Sequence, residues 1–168
     1  MSRLDRFRAA QNSPHAGFEA ALQEIRSGAK TGHWIWYIFP QLAGLGSSAA
    51  SQTFAIDGEA EAVEFLRDPE LRLRLLTMAE AVAEQISTGR ARSLGTLMGS
   101  EIDARKVVSS LTLFGHVARK LHIAQHLNEY SALAKAADEV LAAAASEGYP
   151  PCAYTLSQLR RSEAGGAT

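Results

Sequence analysis

The chain has 168 residues, 46% hydrophobic and 21% charged, enough for one domain with its own core and too short for two ordinary ones. Its 17 Lys and Arg against 18 Asp and Glu give a net charge of -1, which argues against a broad electrostatic grip on nucleic acid or an anionic membrane. A single cysteine, Cys152, excludes an internal disulfide framework and a cysteine-based zinc site. Arg3, Asp5, Arg6 and Arg8 interrupt the apolar stretches at the amino end, so no signal peptide is expected. The uncharged run 31–56 holds Pro40, Gly44, Gly46, Ser47 and Ser48, which is no bilayer span, and the expected compartment is the cytoplasm.

Ser2 and Asp5 make a weak capping box, with Leu4, Phe7 and Arg8 on one helical face. Ser13-Pro14 predicts the start of a second helix, in which Phe18, Ala21, Leu22 and Ile25 repeat at helical spacing until Gly28. Asp57 caps a third helix carrying Ala60, Val63 and Leu66, and Asp68-Pro69 restarts the chain at once. Leu71, Leu75, Met78, Val82 and Ile86 give the fourth helix an apolar stripe that closes at Thr88-Gly89. A short turn of helix follows over Leu94–Met98, then a Ser100-capped segment burying Ala104, Val107, Val108, Leu111 and Phe114. Residues 116–146 are Ala-rich and free of proline, so they read as helix, as one piece or two. Gly148-Tyr149-Pro150-Pro151 stops it, and a last helical turn spans 155–159. The expected fold is all-α, a compact single-domain bundle of about seven helices without significant sheet. The domain is expected over 1–160, with a flexible Gly/Ala tail over 161–168.

Two stretches stand apart. His33-Trp34-Ile35-Trp36-Tyr37-Ile38-Phe39-Pro40-Gln41 is aromatic and β-branched, yet no second strand candidate lies nearby. A lone strand leaves its backbone groups unpaired, so the run reads as a buried helix ended by Pro40. It is either plain core leading into a loop or an aromatic wall beside a polar rim. In the second stretch, Asp103, Lys106 and Ser110 fall at i, i+3 and i+7 on one helical face. The hydroxyls of Ser109, Ser110 and Thr112 cost helix propensity and need partners if buried. A solvated face and tight helix packing explain this pattern as well as a binding site does.

Read together in order, Leu4-x-x-Phe7, Ala10-Gln11, Glu24-Ile25-x-x-Gly28-x-Lys30 and the run from His33-Trp34-Ile35-Trp36 to Phe39-Pro40-Gln41-Leu42 resemble one family. Gly44-Leu45-Gly46-x-Ser48, Asp103-x-x-Lys106-Val107-x-Ser109-Ser110-Leu111-Thr112 and Thr155-Leu156-x-x-Leu159 continue the likeness. The family is domain-of-unknown-function family 1810, small bacterial helical proteins sometimes mislabelled calpastatin. The resemblance implies a compact all-α fold and no established activity. The family's closing motif has an aspartate three residues before its threonine, where this chain has Cys152 ahead of Thr155. If that acid is a helix cap, the exchange costs about 1 kcal/mol. If it is catalytic, this member is inactive or uses other residues. Cys152 follows two prolines with no cation close in sequence, so a reactive thiolate is not expected.

Other constellations are weak. His122 and His126 stand one helical turn apart with Glu129 beyond, but Ile123 occupies the place of the metalloprotease glutamate, so neither a metal ion nor a cofactor is expected. Gly44-x-Gly46 lacks the Gly-Lys-Ser/Thr of a phosphate loop, although its N–H groups could still bind an anion. Two functional readings remain. In the first, a small anionic or nucleotide-like ligand lies in a Trp-lined pocket between the 33–41 segment and the 101–114 helix. Trp34 and Trp36 would form its wall, and Gln41, Lys106, Ser110 and Thr112 would bind it. Asp103 as base and His33 as proton carrier would make it a candidate N-glycoside hydrolase of the ADP-ribose type, by loose analogy with small helical glycosidases. In the second, the chain is a non-catalytic helical module that binds a protein partner through its aromatic residues. Neither nucleic acid nor membrane is an expected partner.

Overall fold

The computed structural model describes residues 2–166. Ten helices are present among them: α1 (Asp5–Gln11), α2 (Phe18–Arg26), α3 (Ile35–Ile38), α4 (Ala49–Thr53), α5 (Gly58–Arg67), α6 (Pro69–Ser87), α7 (Leu94–Met98), α8 (Glu101–Gln125), α9 (Asn128–Ser146) and α10 (Ala153–Gly165). The expected all-α class holds, with no sheet among the described residues, while the count of about seven is corrected to ten. α8 is the axis of the molecule. It packs along α9 and also meets α3, α5, α7 and α10, while α6 covers the other side of α9 and receives α2.

Side-chain caps open four of the ten helices, α4, α6, α7 and α8. Asp68 Oδ1 accepts from the Leu71 N–H at 2.9 Å with Pro69 opening α6, and Ser100 Oγ accepts from the Asp103 N–H at 3.1 Å at the start of α8. Asp57 precedes α5, but its carboxylate binds Arg3 at 2.7 Å instead of the helix end. The core is aromatic where α1, α5 and α8 meet: Phe65 lies 5.2 Å from Phe7, edge to face, and 5.0 Å from Phe114.

Four expectations are corrected. Ser13-Pro14 does not open a helix; the chain turns there and α2 begins at Phe18, with Gly17 so close to the carbonyls of Gln11 and Ser13 that a Cβ would collide. The 33–41 run is helical only over the single turn α3. Beyond it, Gln41 accepts from the Ile56 N–H and the Ala43 N–H donates to Ile56, both at 2.9 Å, an isolated parallel bridge between Leu42 and Ile56. That bridge pairs backbone groups that lie just past Pro40, where the helix was expected to end. The segment capped by Ser100 and the one beginning near His116 are a single 25-residue helix, α8. It ends at His126 in the left-handed conformation (φ 54°), so the break lies within the 116–146 stretch and α9 follows. Finally, α10 extends well past the single turn at 155–159, to Gly165. The last two residues of the 161–168 segment lie outside the described residues.

Candidate functional site

The site builds from α8. Its second turn carries Arg105 and Lys106, and both line a cavity of about 460 Å³. The opposite walls are Gln41, Leu45 and Gly46 from the loop after the bridge, and the Tyr149–Ala153 stretch that leads into α10. Tyr154 ties these two walls together, its hydroxyl donating to the Ala43 carbonyl at 2.9 Å. Ile102, Leu45, Val108, Pro150 and Pro151 make most of the lining apolar.

The electrostatics are asymmetric. Asp103 accepts from Lys30 Nζ at 2.8 Å and from Lys106 Nζ at 3.3 Å, so one carboxylate is shared by two ammonium groups. The trio keeps a net positive charge. Lys30 is also held by the Gly32 carbonyl at 2.6 Å and is nearly buried. Lys106 Nζ lies 4.9 Å from the centre of the Trp36 ring, and Arg105 lies 5.1 Å from that of Tyr149. Arg105 has no carboxylate partner among the described residues.

The expected site residues separate into groups. Gln41 and Lys106 come together on the cavity wall. Trp36 sits behind Lys106, partly buried, with an indole Nε1 that finds no hydrogen-bond partner. Trp34 is fully buried and donates its Nε1–H to Glu24 at 2.7 Å, so its ring belongs to the core. Ser110 is buried with an unpartnered hydroxyl. Thr112 donates to the Val108 carbonyl at 2.7 Å and accepts from the Cys152 N–H at 3.2 Å, a helix-packing role. Asp103 is engaged by its two lysines, His33 is exposed, and neither lines the cavity. His126 is the C-cap of the helix that carries His122, and their rings meet edge to face with centroids 6.0 Å apart.

Sequence reading passed over Arg105, Tyr149 and Cys152 as cavity residues. Cys152 is the cap residue of the 13-residue helix α10 and lines the cavity with Arg105 and Lys106. Burial pushes its thiol up, but the polar neighbours Ser109, Thr155 and Tyr154 outweigh it and hold it below the ordinary thiol value. Arg105 and Lys106 of α8, distant from Cys152 in sequence, line the same cavity. Glu24 behaves alike. Desolvation raises its carboxyl, and bonds from the Gly32 and Thr31 N–H groups and the Trp34 indole bring it below the usual range.

Comparison with known proteins gives a family and a fold. The sequence pattern of a family described as a protein of unknown function (DUF1810) matches residues 1–141, which includes α8 and the 41–46 loop and stops before the Tyr149–Ala153 wall. The crystal structure of the conserved hypothetical protein Rv1873 from Mycobacterium tuberculosis is similar at a TM-score of 0.67 and 29% identity, over 92% of this chain and 94% of that one. A search of curated proteins finds no match. Among the described residues no helix is long and apolar enough to cross a membrane.

Proposed function

The chain belongs to the DUF1810 family of proteins of unknown function, and from that premise we propose that it binds a small anionic ligand, of nucleotide-like size, in the α8 cavity. One observation carries this reading: Arg105 and Lys106 stand on the wall of an otherwise largely apolar cavity, and the carboxylate nearest Lys106 is already shared with Lys30. An apolar enclosure strengthens the attraction of a cation for an anion that would be weak in open solvent. The apolar body of the ligand rests on Leu45, Ile102 and Pro150, and its phosphate or carboxylate meets the two cations. No hydrolytic step is included, because the proposed acid–base pair Asp103 and His33 stands outside the cavity lining.

A thermal-shift screen against nucleotides, ADP-ribose and small phosphates tests it. A ligand at a hundred times its Kd adds about 2.7 kcal/mol, on the order of 5–10 °C for a domain this size. The expected result is a hit that disappears in Arg105→Ala and Lys106→Ala. No shift across the panel, or a hit indifferent to both variants, overturns the reading.

A further inference from the structure

We infer that the ligand of this cavity is a phosphomonoester with an alkyl or aryl body rather than a nucleotide; this deepens the anion reading above and rests on it. Charge points to the head group. Lys30 and Lys106 share the single carboxylate of Asp103, which leaves that trio one positive charge in excess. Arg105, without a carboxylate partner among the described residues, adds a second. Among the described residues that line the cavity there is no aspartate or glutamate to offset them. A phosphomonoester carries a charge of about −1.5 to −2 at neutral pH and matches this excess, whereas a carboxylate matches half of it. The Arg105 guanidinium, 5.1 Å from the centre of the Tyr149 ring, also offers a fork of donors for two phosphate oxygens at once.

The lining decides the body. A nucleoside brings ribose hydroxyls and base edges, and each polar group that is buried without a partner costs affinity. Beside the two cations, the neutral side chains of the lining with nitrogen or oxygen atoms are Gln41, Ser109 and Tyr149. The Ser109 hydroxyl already donates to the Arg105 carbonyl at 3.0 Å, and the Tyr149 hydroxyl lies beside Gly95 of α7, which is not part of the lining. The Gln41 amide is left to serve the several donors and acceptors of a ribose and a base. An apolar body meets the opposite situation. Ile102 is 69% exposed at the cavity, Pro150, Pro151 and Ala153 are exposed there too, and Leu45 is half-buried beside them. An alkyl chain or an aryl ring takes this apolar surface out of water and asks for no hydrogen bond in return. The volume of about 460 Å³ is in the range of small-molecule sites.

Titration calorimetry at neutral pH tests this with hexyl phosphate, phenyl phosphate, AMP and inorganic phosphate, and with hexanoate as the monoanion of similar body. The expected result is that hexyl or phenyl phosphate binds about tenfold more tightly than AMP, or about 1.4 kcal/mol, and more tightly than hexanoate. The tighter of the two esters identifies the body as chain or ring. Arg105→Ala and Lys106→Ala weaken all the phosphates by a similar factor. Ile102→Ser, at an exposed position where folding is not at stake, weakens the two apolar esters about fivefold and leaves inorganic phosphate unchanged. AMP binding as tightly as both esters, hexanoate matching hexyl phosphate, or a preference that survives Ile102→Ser overturns the inference. If AMP and inorganic phosphate still bind and still depend on Arg105, the anion site stands without its apolar ligand. No binding by any of the phosphates removes both.

Discussion

The indole N–H of Trp34 donates to Glu24 Oε2 at 2.7 Å, and the same carboxylate accepts from the N–H groups of Thr31 at 2.9 Å and Gly32 at 3.0 Å. One acid of α2 thereby organises the whole approach to the aromatic run, and it fixes Trp34 as core. Glu24→Gln keeps the volume but gives up the charge on three hydrogen bonds. The expected loss is about 1–3 kcal/mol, read from urea unfolding midpoints at neutral pH. Trp34→Phe loses the donor as well as ring area, and its effect combines with Glu24→Gln by less than the sum, since both remove one interaction.

The Asp103 carboxylate joins Lys30 and Lys106, and the two lysines differ in burial. Asp103→Asn leaves the nearly buried Lys30 without its carboxylate, held by the Gly32 carbonyl and the Trp34 ring, for an expected cost of about 1–3 kcal/mol. Lys106→Ala is expected to cost less, because Asp103 retains Lys30. The same Asp103→Asn change frees charge on Lys106 and is expected to tighten binding of inorganic phosphate, measured by titration calorimetry. Weaker binding in a folded Asp103→Asn variant would count against the anion site.

His116 on α8 faces Glu59 of α5 at 3.9 Å and Glu163 of α10 at 3.5 Å, with Lys120 and Arg119 nearby. Burial is the largest influence and lowers its pKa; the two glutamates oppose this and the two cations reinforce it. A histidine with a lowered folded pKa binds protons more readily when unfolded. Its contribution to stability is therefore complete above the unfolded value near 6.5 and is lost as pH falls below it towards the folded value. Melting temperatures between pH 7.5 and 5.5 are expected to fall more in wild type than in His116→Gln. Equal slopes would remove His116 from the account.

Gly44 has φ +98°, and a Cβ there would collide with the Tyr154 hydroxyl that holds the Ala43 carbonyl. Gly44→Ala is expected to cost more than about 1 kcal/mol, from left-handed strain and from the displaced tyrosine. Tyr154→Phe removes the hydroxyl and so relieves part of that collision. A double-mutant cycle by chemical denaturation should show the pair costing less together than the two singles summed.

Much of the architecture was legible because local chemistry dictated it. Asp68-Pro69, Ser100 and the stripe Phe18, Ala21, Leu22, Ile25 act within a few residues of themselves, and they mark α6, α8 and α2 in the structure. The short element Leu94–Met98 was visible in the same way. Errors arose where distant segments intervene. The 41–43 backbone is paired by Ile56, and the turn at 13–17 is shaped by a close approach to the end of α1. Neither leaves a periodic signal.

Periodicity and caps thus carried the helical class and the starts of α5 to α8, and the ordered motifs carried the resemblance that the family match bears out, since each depends on neighbours along the chain. The cavity could not be read that way. Its walls come from residues 41–46, 102–109 and 149–153, and packing around α8 brings them together. The same packing turned Trp34 inward to Glu24, put Lys106 over Trp36, and brought Arg105, Lys106 and Cys152 to one cavity. Charge, burial and reactivity are properties of three-dimensional neighbourhoods, and a linear sequence orders residues without saying which neighbourhoods will form.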